Sequence, residues 1–286
     1  LAITRFSSTQ EKFRVSIDSK PLPDVDEGTY FVVHRAGLSL KDLELVALHA
    51  LDAEGWQDFV NTFASRFREV FPKDVAVKDD PFAFESEKKM HQNFKWGMAY
   101  FCPRGIGPTA WEVREKPADK KAADAEEKAR VQRLRRFYLL GQTLEGQQVW
   151  DVRCAVRALR SVEGLKDTKL WVTGNRTQAA NVLMASLFED GISRIDLHDL
   201  PHSLMPPKPE KGSPVSGDLP AYLNMLKYLD LPQAVAMAAE RTRVVIYDND
   251  KAAWSYPQQV SEKLEWGKDK KAGLQLRDVP KPEAKQ

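Results

Sequence analysis

The stretch that most constrains this chain is residues 168–188, TKLWVTGNRTQAANVLMASLF. Leu170 to Thr173 is a short apolar run, partly β-branched and closed by Gly174, which predicts a strand buried in a parallel sheet. Beyond the glycine, Ala179, Val182, Leu183 and Leu187 recur at three- and four-residue steps, so one face of the following segment is that of a helix. A strand passing through a single glycine turn into a helix implies a layered α/β arrangement, with the helix folded back on its own sheet.

The rest of the chain repeats this alternation. FRVSI and TYFVVHRA, within residues 13–36, read as strands separated by the turn-rich SKPLPDVDEG. LELVALHAL, 43–51, is a stronger strand, and DAEGW turns it into a helix with Trp56, Phe59, Val60, Phe63, Phe67 and Val70 on one face. A charged helix, FESEKKMHQNFK, leads into the strand WGMAYFCP, 96–103. Arg104, Gly105, Gly107 and Pro108 then form a loop ending at Trp111, read equally as a pocket wall or as a turn fixed by its glycines and proline. Residues 114–136 are the most charged stretch and suit an exposed helical excursion. Asp151 is expected to open a helix with Val152, Ala155, Val156 and Leu159 inward. ISRIDLHDL, 192–200, is a strand, and 201–219, with five prolines and two glycines, is an irregular loop. DLPAYLNMLKYLDLPQAVAMAAE reads as two helical pieces broken at Pro232. TRVVIYDN is a buried strand, Trp254 to Leu264 a helix, GLQLRDV a final strand and 280–286 a flexible tail. Four or more β-then-α units predict one domain over 1–286, a three-layer α/β/α sandwich with a mostly parallel sheet.

Several of these segments resemble one family. The frame Gly174-Asn175-Arg176-Thr177-Gln178 falls where α/β-hydrolases write G-x-S-x-G, the turn that holds their nucleophile. LLGQTLEGQQVWDVRCAVRALRSV, TKLWVTGN and LMASLFEDGISRIDL follow one another as in the acetyl xylan esterase and prolyl-oligopeptidase branch of that superfamily. CPRGIGPTAW resembles its Pro-Arg-Gly-x-Gly loop, and PQAVAMAAERTRVVIYDNDKAAW resembles its last helix, strand and acid loop. The likeness runs over residues 43–266. It implies an α/β-hydrolase fold, an oxyanion-loop equivalent at Leu51, Asp52 and Ala53, and a carboxylate at Asp250. It also implies a site whose serine position holds Arg176 and whose second glycine position holds Gln178.

Composition narrows the function. Of 286 residues, 43 are basic and 41 acidic, a formal charge of +2, too small for phosphate-backbone binding to be the main role. Apolar runs fall short of the ~20 residues that cross a bilayer, and LAITRFSSTQEKFR lacks a signal-peptide core. The chain is therefore expected to be soluble, with neither nucleic acid nor membrane as partner, and its compartment is not legible. The absent initiator methionine and the tail KPEAKQ suggest a processed chain or a segment of a longer polypeptide. Cys102 and Cys154 lack metal or redox spacing and read as buried free thiols. No nucleotide-binding motif occurs, so no cofactor is expected.

A serine esterase needs serine, carboxylate and histidine in that chain order. Here Arg176 stays protonated and is no nucleophile, and all five histidines (His34, His49, His91, His198, His202) precede Asp250. Two other constellations have suitable residue types: His202, Ser203 and Asp199 as a local triad, and His198, His202, Asp196 and Asp199 as a metal site. Neither has suitable spacing. Trp56, Trp96, Trp150 and Trp171 are expected in the core, with Trp111 and Trp254 as candidates for stacking on sugar. Pocket candidates are therefore Gly174, Asn175, Arg176, Asp250, Trp254 and Trp111. The expected function is a catalytically degenerate domain related to carbohydrate esterases, a structural or ligand-binding partner of an active hydrolase upstream or in an oligomer. The alternatives are an active esterase with catalytic groups supplied from outside this chain, and a protein-interaction module. Arg176 is expected to pair with Asp250 or, failing that, to bind an acidic carbohydrate or another anion.

Overall fold

The computed structural model describes residues 1–7, 29–72, 75–111, 119–205, 219–266 and 273–279. The predicted strand FRVSI, most of the 201–219 loop and the 280–286 tail lie outside the described residues.

Among the described residues eight strands make one sheet: β1 (Ala2–Ser7), β2 (Thr29–His34), β3 (Leu45–Ala50), β4 (Trp96–Phe101), β5 (Lys169–Asn175), β6 (Ile192–His198), β7 (Arg243–Tyr247) and β8 (Gly273–Arg277). Their spatial order is β1-β2-β4-β3-β5-β6-β7-β8. The first two are antiparallel to each other, β2 is antiparallel to β4, and from β4 to β8 all pairs are parallel. Seven α-helices of the described residues connect or flank them: α1 (Ala53–Phe63), α2 (Pro81–Asn93), α3 (Lys120–Leu139), α4 (Leu144–Ser161), α5 (Thr177–Ser186), α6 (Leu231–Arg241) and α7 (Ser255–Lys263). The result is the expected mostly parallel three-layer sandwich.

Each face of the sheet has its own core. Val46, Leu48, Val172, Ile195, Leu197, Val244 and Ile246 point to the layer of α4, α5 and α6 and are buried with Val156, Leu159, Leu183 and Val235. On the opposite face, Phe31, Val33 and Tyr100 meet Trp56, Phe59 and Phe63 of α1 and Phe84 of α2, an aromatic cluster with ring separations such as 4.4 Å for Phe59 and Tyr100. No helix of the described residues is long and apolar enough to cross a membrane, and Cys102 and Cys154, half-buried where full burial was expected, form no disulfide among the described residues.

Several expectations need correction. Strand β5 is apolar on one face only: Leu170 and Val172 are buried, whereas Trp171, Thr173 and Asn175 are half-buried. Trp171 is covered by the Arg194 guanidinium, 4.3 Å from its ring centre, instead of by a core layer. Trp96, also half-buried, stacks on exposed Phe94 at 4.5 Å. Asp151 does not open its helix: α4 begins two turns earlier, where Thr143 is the cap and accepts a hydrogen bond from the Gly146 N–H at 3.0 Å. Asp151 instead accepts from the backbone N–H of Arg104 (3.0 Å) and from its Nε (2.8 Å). The loop after β4 is thereby bolted to α4 by a largely buried pair. Pro232 does not break a helix either. It lies in the first turn of α6, where its missing N–H costs nothing, and Asp230 and Gln233 form a capping box before it. Residues 120–139 form the exposed helix expected, with Phe137 buried and Glu127 paired to Arg130 at 2.7 Å.

Candidate functional site

The turn after β5 decides what the site can do. Arg176 has φ 53° and ψ −120°, a backbone conformation that side chains other than glycine's rarely adopt. The surroundings hold it there: its N–H donates to His198 O at 2.9 Å, and its own carbonyl accepts from Ala179 N at 3.1 Å. Gly174 makes the turn possible, since a Cβ at that position would come within 2.4 Å of the Gln178 carbonyl oxygen. Residue 178 needs no second glycine, because its side chain points into a buried polar network. Gln178 Nε2 donates to Gln148 Oε1 (3.0 Å), as does Asn181 Nδ2 (3.0 Å), and Asn181 Oδ1 accepts from the Tyr222 hydroxyl (2.7 Å). Gln148 closes the network by donating to Arg104 O at 2.9 Å.

The side chain at the elbow is tied down. Arg176 donates through Nε (3.0 Å) and Nη2 (2.5 Å) to Asp52 Oδ2 and through Nη2 to Glu54 Oε2 at 2.7 Å. Burial works against its charge, but the bonds to Asp52 and Glu54 outweigh it and raise its pKa. The partner is thus Asp52, not the expected Asp250. Asp250 is exposed and forms a separate turn over Asp248. Asp52 was within reach of sequence reasoning as part of the loop after β3, but its pairing with residue 176 arises only because β3 and β5 are sheet neighbours. Asp52 also caps α1, accepting from Gly55 N at 2.8 Å. Of the remaining oxyanion-loop equivalents, Leu51 spends its N–H on Phe101 O (2.9 Å) and buries its side chain, and Ala53 starts the helix.

Beside the elbow lies a cleft of about 360 Å³ at the carboxyl ends of β3, β5, β6 and β7. His49, Asp52, Asn175, His198, Asp199 and Tyr247 are among its lining residues. Register explains the grouping: Asn175 stands beside His198, and His198 beside Tyr247, on consecutive strands. The rings of His198 and Tyr247 stack at 4.2 Å with 6° between their planes. Burial, aided by neighbouring His198, pushes the His49 pKa down to about 4. Burial also lowers that of His198, against the pull of Asp196 and Asp199. Both imidazoles are therefore neutral near pH 7. Sequence reasoning named neither histidine for the cleft. The signal was present in the alternation of ISRIDLHDL, which puts His198 on the face of Asp196, but nothing in sequence brings β3 alongside.

The other constellations come apart. His202 Nε2 bonds Asp248 Oδ2 at 2.8 Å, a carboxylate that also accepts from Trp254 Nε1 at 2.8 Å. Ser203 donates to a different carboxylate, Asp230, and Asp199 joins neither, so residues 199–203 form no triad. Asp196 is engaged by Arg194 and by the Tyr247 hydroxyl (3.2 Å), and no three metal-type side chains converge among the described residues. Trp254 is fully buried and cannot stack on a sugar. Trp111 is half-buried beside Phe137, 6.0 Å between ring centres, away from the cleft lining.

Comparison with solved structures agrees with the fold. A Bacteroides fragilis protein assigned as an acetyl xylan esterase superposes with a TM-score of 0.59 at 10% identity, over 88% of this chain and 62% of that one. Pyrococcus horikoshii acylaminoacyl peptidase gives 0.48 at 10% identity, over 94% and 36%. A glucuronoyl esterase from Teredinibacter turnerae gives 0.42 at 12%, over 97% and 74%. The chain has the α/β-hydrolase fold and spans less than two thirds of the Bacteroides protein's length. No protein-family model and no curated protein sequence matches it.

Proposed function

We propose that this chain is a non-catalytic domain of α/β-hydrolase type, a structural or ligand-binding partner of an active hydrolase. One observation carries the reading: the strained elbow is kept, but its occupant is an arginine whose guanidinium is bound by Asp52 and Glu54. A guanidinium neither attacks a carbonyl nor accepts a proton. An acidic sugar would have to displace two carboxylates to reach it, so the pair is read as a seal and not as an anion receptor. Backbone strain of this kind costs on the order of 1–3 kcal/mol and persists where the surroundings over-determine it.

The test is hydrolysis of p-nitrophenyl acetate together with fluorophosphonate labelling of the purified chain. The expected outcome is neither turnover nor labelling, and Arg176→Ser is expected to gain neither. His202 spends its Nε2 on Asp248, and burial lowers the His49 pKa to about 4, which makes it a poor proton acceptor. Saturable turnover with a labelled serine would overturn the reading.

A further inference from the structure

Helix α3 is the element that the sandwich does least to hold. Of its 20 residues, Lys120–Leu139, only Phe137 is buried, beside Trp111 at 6.0 Å between ring centres. Most helical stability in proteins comes from packing, and a helix exposed nearly all round gains little of it. Its carboxyl end is also apolar: Tyr138 is 45% exposed, Leu139 86% and Leu140, in the cap position, 71%. Adjacent large apolar side chains left in water, unlike scattered ones, mark a surface that something else covers.

The pattern along α3 points to what covers it. Asp124, Glu127, Val131, Arg135 and Tyr138 recur at three- and four-residue steps, so they share one stripe, about a third of a turn away from Phe137. Asp124 and Arg135 are exposed and form no ion pair among the described residues. The stripe is balanced about Val131: Glu127 and Asp124 stand four and seven residues before it, Arg135 and Tyr138 four and seven after. Charge divides the same way along the whole helix, with Asp119, Asp124, Glu126 and Glu127 in the first half and Arg130, Arg133, Arg135 and Arg136 in the second. Such a helix complements itself when turned end to end. An anionic lipid surface would meet like charge along the first half, and a uniformly acidic or basic protein would match one half alone.

We propose that α3 docks against α3 of a second copy of this chain, antiparallel about a two-fold axis through Val131. Two-fold symmetry makes every contact occur twice. Arg135 of either copy meets Glu127 of the other, the Tyr138 hydroxyl donates to Asp124, and Leu139 and Leu140 lie over the small side chains of Ala123 and Ala122. Glu127 keeps its bonds to Arg130 on its own helix, and a carboxylate has lone pairs for a second guanidinium. The pairing runs along about 30 Å of helix and takes the apolar end of both copies out of water.

The experiment is sedimentation equilibrium of the intact chain over a range of concentrations. A dimer is expected. Arg135→Glu sets like charges against each other at two symmetric places and is expected to weaken it about tenfold or more, as is Glu127→Arg. Combining the two exchanges brings opposite charges together again and is expected to restore the dimer, which separates a lost contact from a lost fold. A chain that stays monomeric at every concentration, a dimer indifferent to Arg135→Glu, or a double exchange that restores nothing overturns the proposal. A monomer that cosediments with anionic phospholipid vesicles assigns the apolar end to lipid and overturns it as well.

Discussion

Arg176 concentrates two opposed effects in one residue. Its backbone is strained and its side chain sits next to the amino end of α5, where the helix dipole disfavours a cation. Asp52 and Glu54 answer the second effect across the gap between β5 and β3. With 46% of the Arg176 side chain exposed, the pair is screened by water, and the coupling between Arg176 and Asp52 should be about 0.5–1 kcal/mol. A double-mutant cycle by urea denaturation measures it directly, and zero coupling would show that the bridge holds nothing. Asp52→Ala should cost about 1 kcal/mol more than Asp52→Asn, because asparagine still caps α1 through its side-chain oxygen and alanine cannot.

At the scale of elements, α4 and α5 are joined by polar side chains where a smaller elbow would let backbones approach. Gln178 is 1% exposed and Gln148 4%, so their amides are shielded from water and depend on each other and on Asn181. Gln178→Gly restores the second glycine of the hydrolase motif, and a motif-based argument would call it harmless. The structure requires the opposite: a cavity, an unmet donor in the network and a flexible residue in the first turn of a helix, about 2–4 kcal/mol in all. Thermal unfolding followed by circular dichroism decides between the two. A Tm unchanged from the parent chain would mean that the network carries no load.

For the whole molecule, acid stability depends on two buried histidines, His91 and His49. His91, in the last turn of α2, is fully buried and bonded through Nδ1 to Trp96 O at 3.2 Å, and burial lowers its pKa to about 4 from 6.5. A buried imidazole of this kind favours the neutral form. Its contribution is complete above pH 6.5 and is lost progressively as pH falls to about 4, because the unfolded chain takes up the proton first. The loss amounts to about 3 kcal/mol. Glu87, whose pKa is raised by burial, works in the opposite direction, stabilising at low pH and less as pH rises through its own folded value. Denaturant titrations at steps across this range should show the fall, and His91→Gln should lessen it by about half, because burial also lowers the His49 pKa to about 4 and His49 contributes over the same window. An equally steep fall in that variant would place the effect elsewhere.

Sequence alone determined the alternation of strands and helices and the position of the elbow, because both rest on local rules: side-chain periodicity, glycine where the backbone must turn, capping residues before helices. The same locality made the Arg176 substitution and the chain order of the histidines readable, and with them the doubt about catalysis. Local rules misplaced the start of α4, since a carboxylate at 151 and a threonine at 143 are both good caps and only the Arg104 partner tells them apart. They also buried Trp254 nowhere and sent Arg176 to Asp250. Tertiary structure decided what stands next to the elbow. β3 and β5 are 124 residues apart at the Arg176 and Asp52 contact, and no periodicity encodes which strand lies beside which. His49, Asn175 and His198 become one cleft only when three strands, separated by helices of differing length, end at the same edge of one sheet.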